Sequence, residues 1–308
     1  MPRRRIGQET LLNEPVKRFS PDEIAELVDW APIERQLDVS YSAPRGEASW
    51  PPLTLFRGML LAIWHDLSDV KLAEALDDRS SFRRFCGFAR AEPTPERTAF
   101  VRFRKELLRH GLDQSLFDAI TEQLKAKAIR VKTGTMVDAT VVGSASQNDQ
   151  DAKWSGHRSR KSVHGYKAHV GADADTALVE KLSVTPGNAH DGRSGDAALP
   201  DNSGDVYADS AYRGDAFRSA VRARGGAPRV VATHVWAENE AEVDRRLADW
   251  NGPIHQIRCR IEKIFGTWKR SYGFRRMRWR GIANATLQTR LTAIAYNLIR
   301  TQNILNPS

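Results

Sequence analysis

The fold is decided by the stretch Met136-Val137-Asp138-Ala139-Thr140-Val141-Val142. Apolar and β-branched residues surround one acid, and this composition predicts a buried β-strand with a carboxylate inside it. A lone buried carboxylate costs free energy unless it is paired or binds a metal ion. Asp138 is therefore either a residue that caps the following loop or a functional group, and the strand alone favours neither.

Strands and helices alternate on the C-terminal side of this stretch. The predicted elements are a hairpin of Tyr166–Ala172 with Leu178–Thr185, a helix over Ala189–Leu199, a strand over Asp205–Asp209, a helix over Gly214–Arg224, a strand over Arg229–Thr233, and helices over His255–Tyr272 and Asn284–Ile299. The order β-β-β-α-β-α-β-α predicts a mixed sheet flanked by helices. This order is similar to the ribonuclease H fold, and the predicted fold class is α+β.

The N-terminal side of the stretch has a helical pattern instead. Ser20-Pro21-Asp22-Glu23 is a typical helix start, and apolar residues recur at helical spacing from Leu53 to Ile129. We therefore predict three segments: a basic arm over residues 1–20, an all-helical domain over residues 21–130, and a sheet-containing domain over residues 131–302.

The charge of the chain is concentrated in two places. The 308 residues carry a net charge of +9. His255–Arg280 holds nine Lys and Arg against one acid, and Lys153–Val170 holds five with no acid. Such concentration predicts a polyanionic partner such as nucleic acid, although a solvated basic face is the alternative.

Composition excludes several other classes of protein. No run approaches about 18 apolar residues, so a transmembrane helix is not expected. Two cysteines, Cys86 and Cys259, rule out a disulfide framework and a cysteine-based zinc site. The basic N-terminus lacks an apolar segment, so we expect no secretory signal and an intracellular location.

Two further acids stand out beside Asp138. Asp209 closes a predicted strand, a position that commonly lines a site in α/β sheets. Glu262 is the one acid of a basic helix. At about 100° per residue, that helix carries one polar stripe and one apolar stripe. The polar stripe is His255, Arg258, Glu262 and Lys269, and the apolar stripe is Ile257, Ile261, Ile264 and Trp268. A row of surface salt bridges is the alternative explanation of the polar stripe.

Together, Asp138, Asp209 and Glu262 form the kind of ligand set expected for two Mg²⁺ ions. Magnesium prefers carboxylate oxygens and is often held by few protein ligands together with substrate phosphate. The cations that flank Glu262 would then hold phosphates near the metal ions.

The ordered set of motifs resembles the DDE transposases of the insertion-sequence-5 group. That group carries Tyr-x2-Arg-x3-Glu-x6-Lys, and this chain has His255-x2-Arg258-x3-Glu262-x6-Lys269, so histidine replaces tyrosine. Similar segments are Val137–Thr140, Ala208–Gly214, Pro186–Asp191 and Ala295–Leu298. The resemblance covers about residues 20–300.

The resemblance implies a function for most of the chain. Asp138, Asp209 and Glu262 would be catalytic and would hold two Mg²⁺ ions, with Mn²⁺ as a substitute. His255, Arg258 and Lys269 would bind DNA phosphates, and Asp191, Tyr212 and Arg213 would support the site. The helical domain would bind the terminal inverted repeats of the element. The partners would be double-stranded terminal and target DNA and further copies of the chain, in the cytoplasm at the nucleoid.

Two alternatives remain open at this stage. One is an inactive DNA-binding derivative of such an enzyme, and the other is a metal-dependent nuclease of the same fold that does not join DNA. Among lesser features, the basic segment Thr94–Arg109 either reads DNA or packs in the core. Trp236, Trp250, Trp268 and Trp279 either stack on bases or pack, and packing is favoured for Trp268.

Overall fold

The architecture comes from a computed structural model, which describes residues 21–41, 50–128, 132–156 and 162–307. The predicted basic arm over residues 1–20 lies outside these ranges. So do residues 157–161 of the second basic segment.

Helices form the described chain before the sheet. They are α1 (Pro21–Ala25), α2 (Trp30–Leu37), α3 (Pro52–Trp64), α4 (Asp69–Asp78), α5 (Ser80–Cys86), α6 (Arg97–Arg109) and α7 (Leu112–Ala128). Local signals explain several of their ends. Ser68 caps α4 by accepting from the Lys71 amide at 3.3 Å, and Gly87 ends α5 at φ +87°, where a left-handed conformation suits glycine.

A mixed sheet follows, with short helices and turns between its strands. The strands are β1 (Gly134–Gly143), β2 (Lys153–Trp154), β3 (His164–Asp173), β4 (Val179–Pro186), β5 (Asp205–Ala208) and β6 (Ala227–Val230), and the helices are α8 (Asp191–Ser194), α9 (Asp215–Ala223), α10 (Glu240–Ser271) and α11 (Ile282–Leu305). β3 pairs antiparallel with β1, β2 and β4, while β5 pairs parallel with β1 and β6. This arrangement confirms the predicted α+β class, a helical N-terminal region followed by a mixed sheet with flanking helices, consistent with a ribonuclease H-like domain.

Several predicted boundaries are wrong. The helix predicted over Ala189–Leu199 is instead the four-residue α8 followed by a 3-10 turn over Gly195–Ala198, since Gly192 and Gly195 weaken a continuous helix. β6 covers Ala227–Val230 rather than 229–233, because the end of its parallel partner β5 sets where pairing stops. α10 begins at Glu240 and runs through Pro253, although proline usually breaks a helix interior. The side-chain amide of Asn251 bonds to both backbone groups of Ala232, at 2.8 and 2.9 Å. This tertiary contact holds the turn just before Pro253 in the helix.

One hydrophobic core joins the helical region to the sheet. Its buried residues come from α3 and α7, from β1, β3 and β4, and from α10 and α11. α11 lies at the centre, since most of its residues from Ala285 to Gln302 are buried. A smaller cluster on the other side of the sheet joins Val137 to β5, α9 and β6. The domain boundary near residue 130 stays a prediction.

Asn297, on α11, is a polar residue inside this core. Its side chain is fully buried, accepts from the Val179 amide at 2.8 Å and donates to the Val179 carbonyl at 2.8 Å. We expect Asn297→Ala to lower the free energy of unfolding by about 2–4 kcal/mol, because two buried backbone groups lose their partners. Urea denaturation measures this change. Asn303→Ala, at an exposed position of the same helix, should change stability by no more than about 0.5 kcal/mol, and equal effects of the two variants would refute the assignment.

Candidate active site

Asp138 and Asp209 lie side by side in the middle of the sheet, at the point where the parallel pairing of β1 with β5 ends. β1 and β5 pair in parallel with Val137 opposite Ala208, so the two acids are the next residues on neighbouring strands. Adjacent strands are about 4.8 Å apart. The carboxyl ends of parallel strands are the usual place for a ligand in sheets of this kind.

The environment of Asp138 is unfavourable for an ionised carboxylate. The side chain is 19% exposed, and burial raises its pKa to about 6. The negative charges of Asp209 and Asp191 add to the rise, while Arg258 and the Ala139 amide oppose it. Asp138 is therefore a partly buried acid beside two other acids, and a cation at this position would relieve the repulsion.

Arg258 supplies one positive charge to Asp138. It extends from α10, and its Nη2 lies 3.2 Å from Asp138 Oδ2. Its Nε atom is buried and has no partner in the described part of the chain. The phosphate-binding role predicted for Arg258 is untested. In the structure, the Arg258 guanidinium instead contacts the Asp138 carboxylate.

The apolar stripe of α10 sets how the helix faces the sheet. Ile261, Ile264 and Trp268 are fully buried. In the polar stripe, His255 and Glu262, each about one turn from Arg258, are exposed, and Lys269 is half-buried. The Glu262 side chain has none of the described hydrogen bonds or ion pairs. Across residues 21–41, 50–128, 132–156 and 162–307, no group of three or more His, Cys, Asp and Glu side chains is arranged to hold a metal ion.

The structure therefore brings some of the predicted residues together and leaves others apart. Asp138, Asp209 and Arg258 are neighbours. Asp191 lies near enough to raise the pKa of Asp138. The Glu262 carboxylate is exposed, about one helical turn from Arg258, and it does not form a three-acid group with the strand acids among the described residues.

Asp191 belongs to a polar group that the sequence did not reveal. Its carboxylate accepts from Lys167 Nζ at 2.8 Å, and the same nitrogen donates to the Ala189 carbonyl at 2.8 Å. Next to Lys167 on the same face of β3, His169 is fully buried, and burial lowers its pKa to about 4. The sequence signal for this polar group was a lysine and a histidine two residues apart in an otherwise apolar strand.

Tyr212 and Arg213 hold the loop that follows Asp209. The Tyr212 ring is buried against Phe217 and Gly195. Its hydroxyl has no hydrogen-bond partner among the described residues, and burial followed by the nearby acids raises its pKa well above 10. Arg213 Nη1 donates to Thr233 Oγ1 at 2.7 Å, which ties this loop to the segment after β6.

The basic helix α6 both packs and faces solvent. Arg104 is buried, bonds to both carboxylate oxygens of Asp69 at 3.1 and 2.9 Å, and lies 3.9 Å over the Trp279 ring. Arg102 and Lys105 are exposed. Arg104 therefore connects α6 to the chain after α10, while its exposed neighbours remain available to a partner.

Comparison with known families gives two matches. A family model described as "Transposase DDE domain" matches residues 129–298, slightly more than half of the chain. This segment contains Asp138, Asp209 and Glu262. A second model, described as "Transposase domain (DUF772)", matches residues 13–106, which include α1 to most of α6. No helix among the described residues is long and apolar enough to cross a lipid bilayer.

Proposed function

Because the chain belongs to the family of DDE transposases, we propose that it is the transposase of an insertion sequence of the insertion-sequence-5 group. It would cut DNA at the terminal inverted repeats of the element and join the freed 3′-hydroxyl to target DNA. One observation supports this most: two acids stand side by side where the parallel pairing of β1 with β5 ends, and the guanidinium of a basic helix lies on one of them.

The residues at the end of the β1–β5 pairing suit a divalent cation. Asp138 and Asp209 offer hard oxygen ligands, and burial first, with the charges of Asp209 and Asp191 second, raises the pKa of Asp138. We propose Glu262 as the third ligand. Bound Mg²⁺ would supply a Lewis acid that polarises phosphate and lowers the pKa of a bound water, and Mn²⁺ would substitute for it.

The cations around the acids would position the DNA. Arg258 would pass from Asp138 to a phosphate oxygen when DNA and metal are present, since a guanidinium binds both groups by charge-assisted hydrogen bonds. His255 and Lys269, which flank it on α10, would contact adjacent phosphates. Asp191, Tyr212 and Arg213 would hold the loop of Asp209 in place.

The helical region would recognise the ends of the element. Arg102 and Lys105 on α6 are exposed and belong to the segment matched by the second transposase model. We propose that this surface contacts the terminal repeats and that at least two copies of the chain assemble on paired ends. Because its substrate is chromosomal DNA, the protein would act in the cytoplasm at the nucleoid.

A DNA-binding derivative without turnover is the second candidate. The exposed position of Glu262 favours it, because the described residues do not preassemble a three-acid site. A nuclease of the same fold would cut DNA without joining it.

One experiment separates these functions. Purified protein is mixed with Mg²⁺ or Mn²⁺ and DNA that carries both flanks of its own gene, and the cut and joined ends are mapped. Asp209→Ala is run alongside. Cuts at inverted-repeat ends and joined products, both lost in the variant, support the transposase. Cuts without joining indicate the nuclease, and binding without cuts indicates the derivative.

Salt dependence tests the proposed DNA surface. We expect affinity for non-specific duplex to fall about 100-fold between 50 and 200 mM salt, as about four phosphate contacts imply. Lys263 and Arg270 are exposed cations on α10. Replacing both with glutamine should reduce the slope of log K against log salt by about 2. Arg245→Gln, near the other end of the same helix, is the control. If none of these substitutions changed the slope, the DNA would bind elsewhere on the protein.

A further inference from the structure

The segment after β6 is the least buried part of the described fold outside its ends. Residues 233–249, here called the arm, leave the sheet edge and include the first ten residues of α10. None of the arm residues is buried. The arm is nevertheless regular, since Asn239 caps α10 by accepting from the Glu242 amide at 2.9 Å. A helix that is polar all round either bridges to another unit or is stabilised by pairs between its own residues, and here Arg245 and Arg246 pair with Glu242.

Trp236 gives the arm an exposed apolar knob. Trp236 is 81% exposed, the largest value among the exposed large hydrophobic residues that the structure describes. An indole buries about 150–250 Å² when it enters an interface, and tryptophan is enriched among residues that dominate binding energy. The Arg246 guanidinium donates to the Trp236 carbonyl at 3.1 Å, which fixes the backbone that carries the knob.

A pocket of about 350 Å³ opens beside the arm. Its apolar wall is formed by Val230 at the end of β6 and by Leu247 and Trp250 of α10, and Arg218 and Arg246 contribute positive charge. The pocket lies at the sheet edge, where β6 carries Pro228, a residue that limits further strand pairing. A knob and a pocket on one surface are the requirements of a self-complementary two-fold interface.

Charge decides between DNA and protein as the occupant. The arm carries five acids and two arginines, whereas the whole chain has a net charge of +9. A surface of net charge −3 repels phosphates, so it does not fit DNA. It does fit a basic protein surface, and α9 offers one: the side chains of Arg218 and Arg222 have none of the described hydrogen bonds or ion pairs.

We propose that the arm docks on a second copy of this chain. In the two-fold arrangement, Trp236 of each copy enters the partner's pocket, and the exposed acids Glu238 and Asp244 face the partner's Arg218 and Arg222. The interface adjoins the candidate active site, because Arg213 ties the arm's Thr233 to the loop of Asp209. The docking does not require DNA, so it is tested separately from the proposed reaction.

Removal of the knob is the first test. The full chain is studied by sedimentation equilibrium without DNA, and we expect a dimer whose dissociation constant rises about 30-fold in Trp236→Ser. The matched control is Trp154→Ser, which removes another exposed tryptophan, 60% exposed on β2, and should leave the constant unchanged. Because both side chains are exposed, circular dichroism should show both variants folded.

A charge swap is the second test. Glu238→Lys with Asp244→Lys should weaken the dimer, and so should Arg218→Glu with Arg222→Glu. A two-fold interface makes a specific prediction for the mixture: the two double variants restore opposite charges at both contacts and should form a heterodimer as tight as the wild-type dimer. A mixture no tighter than either variant alone would overturn the two-fold arrangement.

Two other outcomes would overturn the proposal as a whole. One is a wild-type chain that stays monomeric at the highest concentration studied, and the other is a dimer that Trp236→Ser does not weaken. If single-stranded oligonucleotides quench tryptophan emission in the wild type and not in Trp236→Ser, while the oligomeric state is unchanged, the knob stacks on a base instead.

Discussion

Replacing Asp138 with asparagine is expected to reduce DNA cleavage on the order of 10³-fold or more while preserving DNA binding. The carboxylate would hold the divalent cation, and loss of such a ligand removes several kcal/mol of transition-state stabilisation, where each 1.4 kcal/mol corresponds to about tenfold in rate. The amide has the same size and can still accept a hydrogen bond from Arg258. Cleavage of a labelled repeat end and a mobility-shift assay on the same DNA measure the two properties.

The same variant should be more stable than the wild type at neutral pH. An unfolded aspartate titrates near pH 3.9, whereas burial raises the pKa of Asp138 to about 6. The folded state therefore keeps its proton where the unfolded chain has lost it, and wild-type stability falls as the pH rises from about 4 to about 6. The substituted amide does not ionise, so the expected gain in Asp138→Asn is on the order of 1–2 kcal/mol at pH 7 and vanishes below about pH 4.

Asp149 provides a control of opposite sign. Burial pushes the pKa of Asp149 up, but hydrogen bonds from Ser144 and Tyr166 outweigh burial, and its pKa is lowered. Its contribution to stability is present above about pH 4 and is lost as the pH falls through the folded pKa. Asp149→Asn should thus destabilise the fold at pH 7 and converge with the wild type in acid. If Asp138→Asn behaved like Asp149→Asn, ionisation of Asp138 would not oppose folding.

Much of the fold could be predicted because its signals are local. The strand around Asp138, the hairpin of β3 and β4, and the apolar stripe of α10 each follow from periodicity within one segment. The first part of α10 could not be predicted in this way. Local rules end a helix at Gly252-Pro253, whereas Asn251 holds the chain by bonding to Ala232, a contact that exists only after the sheet has formed.

The candidate site was predictable to a similar degree. Ligand chemistry and the family resemblance grouped Asp138 with Asp209 and Glu262, but the order of the strands could not be derived from the sequence. The parallel pairing of β1 with β5, seen in the structure, places Asp138 beside Asp209. The pairing of Arg258 with Asp138 depends on how α10 is positioned along the sheet. The apolar stripe predicts which side of the helix packs, but it does not predict which turn of the helix lies beside Asp138. The Lys167–Asp191 pair joins β3 to α8 across 24 residues, and no spacing rule connects two such positions.

Glu262→Gln should separate catalysis from folding more cleanly than any other substitution in the chain. The Glu262 side chain is exposed and has none of the described hydrogen bonds or ion pairs, so its loss should change stability by no more than about 0.5 kcal/mol. Removal of a negative charge near phosphates should leave DNA affinity equal or slightly higher. Cleavage in Mg²⁺ should nevertheless fall on the order of 10³-fold, because the proposed third ligand is missing.

Glu74→Gln is the control for Glu262→Gln, since it removes an exposed acid on α4, outside both the candidate site and the arm, and should leave cleavage unchanged. Unfolding curves, DNA affinity and cleavage are measured on the wild type and both variants. Retained cleavage in Glu262→Gln would show that the third ligand lies elsewhere. Asp191 would then be the first residue to replace, because its charge already acts on Asp138. Loss of cleavage without loss of binding or stability would show that Glu262 approaches the two strand acids only when DNA and metal are bound.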